Sequence, residues 1–395
     1  MKRITKQSRR LKIVATHSLN GLLLPIFNVL VSLLVIRLAS VAVWGAFVQV
    51  LLVVQLGTHI VYWGNKEYLL RAFSRRPGDL AALWQTAVFT RWPLYLLFMA
   101  VMALWGWPVS WLLLIWVWGA GLVVAQSVEV LVLYRRAFLF ALAVELGTVI
   151  LLLAGVLLRG QALSVTGLLL LFTLTQVGKA AVFLLHFRAD VLRSLRGRLD
   201  PAYLALAFPF LLLGLSGLLQ SRIDLYSVSY FMDPTAVGQY QVLTGFLLYI
   251  QAMANFILLP FVKTVYRLET AVIHKISWRL FGLGLILVPP AVALIGWLLR
   301  HLYRFDLAPL LLIVGGLYAL PIFFTLPIIY ALYKADMQRQ VLYVNLVNTG
   351  LNLGLNILWI PQWGLLGALL ATTLTSWLTL LFYWYRGRQL LKTEN

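Results

Sequence analysis

The sequence contains no cysteine. Disulfide staples and thiolate metal sites are excluded, and no thiol chemistry reports a redox compartment. Charge is scarce as well: 11% of the 395 residues are Asp, Glu, Lys or Arg, and only 12 are acidic. A water-soluble chain of this length needs far more polar surface. Five histidines and 12 acidic residues, with no set at ligand spacing, argue against a metal site. A glycine-rich phosphate loop ending in Lys-Ser/Thr is missing, which argues against ATP hydrolysis by this chain. No cofactor is expected. The apolar runs are joined by short connections, so no extramembrane domain is expected. The first two connections on the outer side hold no acidic residue, unlike those expected of a membrane glycosyltransferase, and an enzyme is not expected.

What is abundant is hydrocarbon. Residues of hydrophobic type make up 62% of the chain, with 15 Trp and 17 Tyr suited to membrane interfaces. The expected fold class is all-α: a polytopic membrane protein of about twelve transmembrane helices. Runs of roughly 20 apolar residues, the length that crosses about 30 Å of hydrocarbon, fall near 13–36, 41–63, 82–106, 109–133, 137–158, 164–187, 203–231, 236–262, 278–299, 308–333, 339–360 and 364–385. The first run carries Asn20, Pro25 and Asn28 and lacks a small-residue cleavage site, so it reads as a retained helix rather than a signal peptide.

Lys and Arg total 32 against 12 acidic residues, for a net charge of +20. With both termini in the cytoplasm, 25 of the 32 fall in inner segments and five in outer ones, a positive-inside distribution. The basic excess therefore reads as anchoring against anionic headgroups, with specific recognition of a partner as the other possibility, and nucleic acid is not an expected partner.

The chain reads as built twice. Arg37-Leu-Ala-Ser-Val-Ala-Val-Trp44-Gly45-Ala-Phe47 has a counterpart in Asp233-Pro234-Thr-Ala-Val-Gly238-Gln-Tyr240, with Gly238 lying 193 residues after Gly45. Gly167 to Thr175 recurs as Gly367 to Thr375, two hundred residues on. Six spans per half give parallel repeats, residues 1–198 and 199–395, related by an axis along the membrane normal.

Polar side chains inside hydrocarbon must face protein or a wet cavity. On a helical wheel Asn345, Asn348, Asn352 and Asn356 share one face, as do Gln241, Thr244, Gln251 and Asn255. Further stripes are His17, Asn20, Asn28 and Ser32; Gln55, His59 and Tyr62; and Ser216, Gln220, Asp224 and Ser227. Each stripe alone is explained equally well by interhelical hydrogen bonding; several together favour a hydrophilic chamber. Arg37 either faces that chamber or snorkels to the outer interface. Arg222 binds a ligand or is satisfied locally beside Asp224. Arg91, Glu129, Glu145 and Lys179 lie at similar depth and are able to neutralise one another, the other possibility being a titrating carboxylate or a phosphate-binding cation.

The segments Arg37 to Phe47, Gln55-Leu-Gly57-Thr-His59 through Arg71, Arg222-Ile-Asp224 through Tyr240, and Gly364-Leu-Leu-Gly367-Ala-Leu-Leu-Ala-Thr372 carry a resemblance to the polysaccharide or O-antigen (Wzx-type) flippases. These belong to the superfamily that also holds the multidrug-extrusion (MATE) proteins. In this chain Ser40-Val-Ala-Val-Trp44 stands where the family carries a small acidic pair. The resemblance implies a MATE-like pair of six-helix lobes around a chamber that opens alternately to each side. It implies an inner-membrane, multi-pass protein that moves an undecaprenyl-pyrophosphate-linked oligosaccharide from the cytoplasmic to the periplasmic leaflet, for surface polysaccharide such as lipopolysaccharide O-antigen. The pyrophosphate would be held by Arg37, Arg222, Lys179 and Arg91, and the sugar by Asn345, Asn348, Asn352, Gln241, Gln251 and Asn255. Glu129, Glu145 and Asp224 would serve ion coupling or structural ion pairs. The implied partners are the lipid-linked substrate, membrane lipids, and glycan-assembly proteins such as a polysaccharide polymerase, with a monomer favoured. A cation-coupled drug or metabolite exporter, a membrane enzyme acting on lipid-linked glycan, and a scaffold remain as alternatives.

Overall fold

The computed structural model describes residues 27–104, 106–191, 197–258 and 261–394. His17 and Asn20, expected on the polar face of the first span, and Pro25 within that span lie outside them. Every regular element among the described residues is helical. Ten of these helices are long and apolar enough to cross a membrane. Their order is α1 (Phe27–Leu38), α2 (Val41–Tyr62), α3 (Asn65–Arg75), α4 (Leu80–Ala103), α5 (Val109–Arg135), α6 (Phe138–Arg159), α7 (Val165–His186) and α8 (Arg188–Val191). Then follow α9 (Pro201–Phe231), α10 (Pro234–Leu258), α11 (Val262–Val265), α12 (Thr270–Leu298), α13 (Pro309–Ala319), α14 (Pro321–Lys334) and α15 (Gln338–Glu394). The last holds two expected spans, broken at Gly364, whose φ of 56° and ψ of −134° are non-helical. Helix α1 is the described end of the first expected span, and α13 with α14 make up the tenth. Side chains such as Leu97, Leu151, Leu158 and Ile286 are well exposed, as lipid-facing positions require. The chain is a multi-pass membrane protein.

Contacts divide the chain into two compact units, Met1–Leu215 and Ser216–Asn395. In unit 1, α3 is amphipathic: Leu69 and Phe73, one turn apart, are buried in a core with Trp84, Leu131, Phe183 and Tyr203, while Lys66, Arg71 and Arg75 stay exposed. The turn into α3 uses Gly64 at φ +66°; a Cβ there would lie 2.5 Å from that of Phe210 and 2.9 Å from the backbone nitrogen of Leu211. The segment before α9 is strapped onto α4, where Gln85 donates to the Val191 carbonyl at 2.7 Å and accepts from Gly197 N–H at 3.0 Å. Thr90 accepts from Asp200 N–H at 3.0 Å.

In unit 2, Phe324, Ile328, Leu332, Val341, Val344, Leu380 and Tyr383 form one core. The repeat expected from the sequence is visible in local hydrogen bonding. Ser40 caps α2 by accepting from Val43 N–H at 3.1 Å, and Asp233, 193 positions on, caps α10 by accepting from Ala236 N–H at 3.0 Å. Arg136 and Asp336 both take left-handed backbone at φ 57° and 56°. The residue after each donates to the carbonyl five positions back at 2.9 Å, Ala137 to Val132 and Met337 to Leu332. Helices α6 and α15 thus start in the same register, two hundred residues apart.

Candidate functional site

In unit 1, charged side chains of neighbouring helices meet. Lys179 on α7, its side chain 10% exposed, bridges Glu129 on α5 at 3.3 Å and Glu145 on α6. One cation between two carboxylates leaves a net charge of −1 in a helical layer, with the carboxylates held apart by the ammonium between them. Arg91 stands outside this triad. It is fully buried on α4, where its Nε donates to the Ala87 carbonyl at 2.9 Å and its Nη2 to Ser127 Oγ at 2.7 Å. Its Nη1 has no hydrogen-bond partner among the described residues. Trp84 reaches the same turn of α5 by donating to the Ser127 carbonyl at 3.0 Å. Three of the four charges at this depth are therefore bridged to one another, and the fourth is solvated by a carbonyl and a hydroxyl.

In unit 2 the buried charge is Asp224. Its Oδ1 accepts from Leu225 N–H at 2.8 Å and its Oδ2 from the Tyr240 hydroxyl at 2.7 Å, both residues being almost wholly buried. Arg222, two residues earlier, is half-buried and makes no ion pair with it. A tyrosine, not a cation, holds this carboxylate.

Beside that pair, unit 2 contains a cavity of about 290 Å³. Gln220 and Ser221 of α9, Gln251 of α10, Tyr318 of α13, and Thr325 and Tyr333 of α14 contribute to its wall. So do Asn345, Asn348 and Asn352 before the break in α15, and Thr372, Ser376, Thr379 and Tyr383 after it. No side chain on the wall is charged. The local cause of this wall is the interruption between α13 and α14. Pro321 has no N–H, so the Leu317 carbonyl loses its helical donor; Trp377 Nε1 donates to it instead at 3.0 Å. Gln251 Nε2 donates to the neighbouring Tyr318 carbonyl at 3.2 Å. Asn352 donates to Thr372 Oγ1 at 3.3 Å and accepts from Asn356 at 2.7 Å, tying the two parts of α15 together.

The expected sugar-binding residues separate accordingly. Asn345, Asn348, Asn352 and Gln251 share the cavity. Gln241 lies on α10 away from it, and Asn255 is exposed. Among the cations, Arg37 is exposed at the end of α1 and Arg222 half-buried, whereas Lys179 is held by two carboxylates and Arg91 is enclosed.

No protein-family model and no curated sequence matches the chain. Among solved structures it superposes on the lipid II flippase MurJ in an inward closed conformation with a TM-score of 0.74. The identity is 12%, and the match covers 93% of this chain and 86% of that one. The chain has a MATE/MurJ-type fold. A multidrug resistance MATE family transporter of the MOP superfamily, in an outward-facing conformation, matches with a TM-score of 0.51 at 14% identity, over 96% of this chain and 93% of that one. At such identities the likeness is one of fold.

Two parts of the site escaped sequence reasoning. Thr372, Ser376 and Thr379 line the cavity one or two turns apart, but scattered hydroxyls in an apolar run look like helix back-bonding residues. They do back-bond, Ser376 to the Thr372 carbonyl at 2.7 Å and Thr379 to the Thr375 carbonyl at 2.9 Å. Tyr318, Tyr333 and Tyr383 are three of 17 tyrosines, a residue type suited to membrane interfaces, and nothing in their spacing shows that they turn inward.

Proposed function

We propose that this chain is a transporter that moves an undecaprenyl-pyrophosphate-linked oligosaccharide across the inner membrane by alternating access, from the cytoplasmic to the periplasmic leaflet. The observation that carries this reading is the amide- and hydroxyl-lined, uncharged cavity of unit 2. An interior built for lipophilic cations would be expected to offer carboxylates, and no carboxylate stands on the described wall. A sugar needs donors and acceptors without net charge, and this wall supplies them. A solved structure of the same fold described as a lipid II flippase supports the lipid-linked class. The 25 to 5 distribution of Lys and Arg supports cytoplasmic termini.

Arg222 and Arg37 are the better candidates to hold the pyrophosphate, because reaching a phosphate from Lys179 would require breaking two ion pairs. Of the carboxylates, Asp224 is the better candidate for ion coupling: Glu129 and Glu145 share a lysine, whereas Asp224 is held by a neutral hydroxyl. Glycan-assembly enzymes of the same membrane, a polymerase among them, are the proposed partners.

The test is the lipid content of cells depleted of the protein. The flippase reading expects undecaprenyl-pyrophosphate oligosaccharide to accumulate where glycosidases added from outside do not reach it. An unchanged pool together with new sensitivity to cationic drugs would replace it with the exporter reading.

A further inference from the structure

The two halves carry opposite chemistry at equivalent places. Two hundred positions after Glu129, Glu145 and Lys179 stand Ile329, Asn345 and Thr379. The shared register is fixed by the matching left-handed turns at Arg136 and Asp336 and by the recurrence of Gly167 to Thr175 as Gly367 to Thr375. All three replacements line the unit 2 cavity. Where unit 1 places an ion triad, unit 2 has a short hydroxyl, an amide and an aliphatic chain around its cavity. Phe183 likewise has Tyr383 as its counterpart, a residue of the cavity wall whose hydroxyl is buried with no hydrogen-bond partner among the described residues.

We infer that this cavity is a binding site for one uncharged pyranose residue, of hexose or N-acetylhexosamine type. A cavity of 290 Å³ has room for a sugar ring with its substituents. Asn345, Asn348 and Ser376 offer the mixed donors and acceptors that a ring of hydroxyls requires, and Tyr318 and Tyr333 bring aromatic rings to the wall for its C–H groups. The described wall offers a carboxylate or ammonium group no counter-ion, so neutral sugars are favoured over acidic and amino sugars. The assignment rests on the flippase reading only in taking this residue to be part of the transported glycan.

The experiment uses the full chain in lipid nanodiscs and saturation-transfer NMR. The probes are neutral methyl pyranosides of glucose, galactose and N-acetylglucosamine, with glucuronate as the acidic counterpart. At least one neutral pyranoside receives saturation and glucuronate does not. Transfer becomes about tenfold weaker in Ser376→Leu, which fills part of the space and removes a hydroxyl. It disappears in the triple variant Ile329→Glu, Asn345→Glu, Thr379→Lys, which rebuilds unit 1's triad inside unit 2. Because the triple variant risks misfolding, Ser376→Leu at unchanged melting temperature is the deciding comparison. Equal transfer to glucuronate, no transfer to any neutral probe, or transfer that survives Ser376→Leu overturns the site. The lipid pool of depleted cells judges the flippase reading separately. An unchanged pool with variant-sensitive sugar binding keeps the site and discards the lipid-linked cargo; accumulation without sugar binding discards the site alone.

Discussion

Thr173 and Thr373 make the same pair of hydrogen bonds. Thr173 Oγ1 reaches the Leu169 carbonyl at 2.7 Å and, across the helix interface, the Leu114 carbonyl at 3.2 Å. Thr373 Oγ1 reaches the Leu369 carbonyl at 2.7 Å and the Val314 carbonyl at 3.3 Å. Both cross-helix acceptors lie 59 residues earlier. A hydroxyl shared between its own turn and a neighbouring helix fixes how closely those helices approach. Duplication has preserved this framework while the side chains around it diverged, to charge in one unit and to neutral polarity in the other.

Removing the ammonium from the unit 1 triad should be costly. Lys179→Met leaves Glu129 and Glu145 facing each other in a partly buried layer, and the expected loss is about 3 kcal/mol. Adding Glu129→Gln and Glu145→Gln to the same chain should recover most of it. Thermal unfolding of the parent and the two variants in detergent checks both steps; a Lys179→Met chain as stable as the parent would contradict the bridge.

The Asp224–Tyr240 contact makes a second prediction. Tyr240→Phe removes the donor at 2.7 Å and leaves a buried carboxylate oxygen without it, for an expected loss of about 2 kcal/mol. Asp224→Asn in the same background should restore part of that loss, because a neutral amide tolerates the missing hydroxyl better than a carboxylate does. The melting temperatures of the two single variants and the double variant form the required cycle.

The polar stripe on α10 should split in function. Gln251→Leu removes a cavity amide and its bond to the Tyr318 carbonyl, and glycan export in a complementation assay should fall about tenfold. Asn255→Leu, on an exposed position off the cavity, should leave export unchanged. Equal loss in both variants would mean that the stripe acts as a whole.

Gly64 provides a backbone test. Gly64→Ala places a Cβ 2.5 Å from that of Phe210 at a φ of +66°, and the expected cost is more than about 1 kcal/mol. Gly78→Ala, with nothing within 4 Å of the added atom, is the neutral control for the same unfolding measurement.

By itself the sequence determined the all-helical membrane class and the position of the ten apolar helices among the described residues, and it pointed to a repeat. Hydrocarbon admits only helices or closed barrels, so apolar length alone locates the helices, and Gly45 with Gly238 or Thr173 with Thr373 betrays the repeat. It also showed that Asn345, Asn348 and Asn352 share one helix face, because a wheel is a local property. Tertiary structure decided which polar groups meet. Nothing within α4 or α7 announces that Arg91 is enclosed by its own turn and Ser127 while Lys179 collects both glutamates. Nor does α10 alone show that Gln251 reaches the cavity and Asn255 does not. Pairing in a membrane depends on which helices are neighbours and at what depth, and a span's own residues do not encode either.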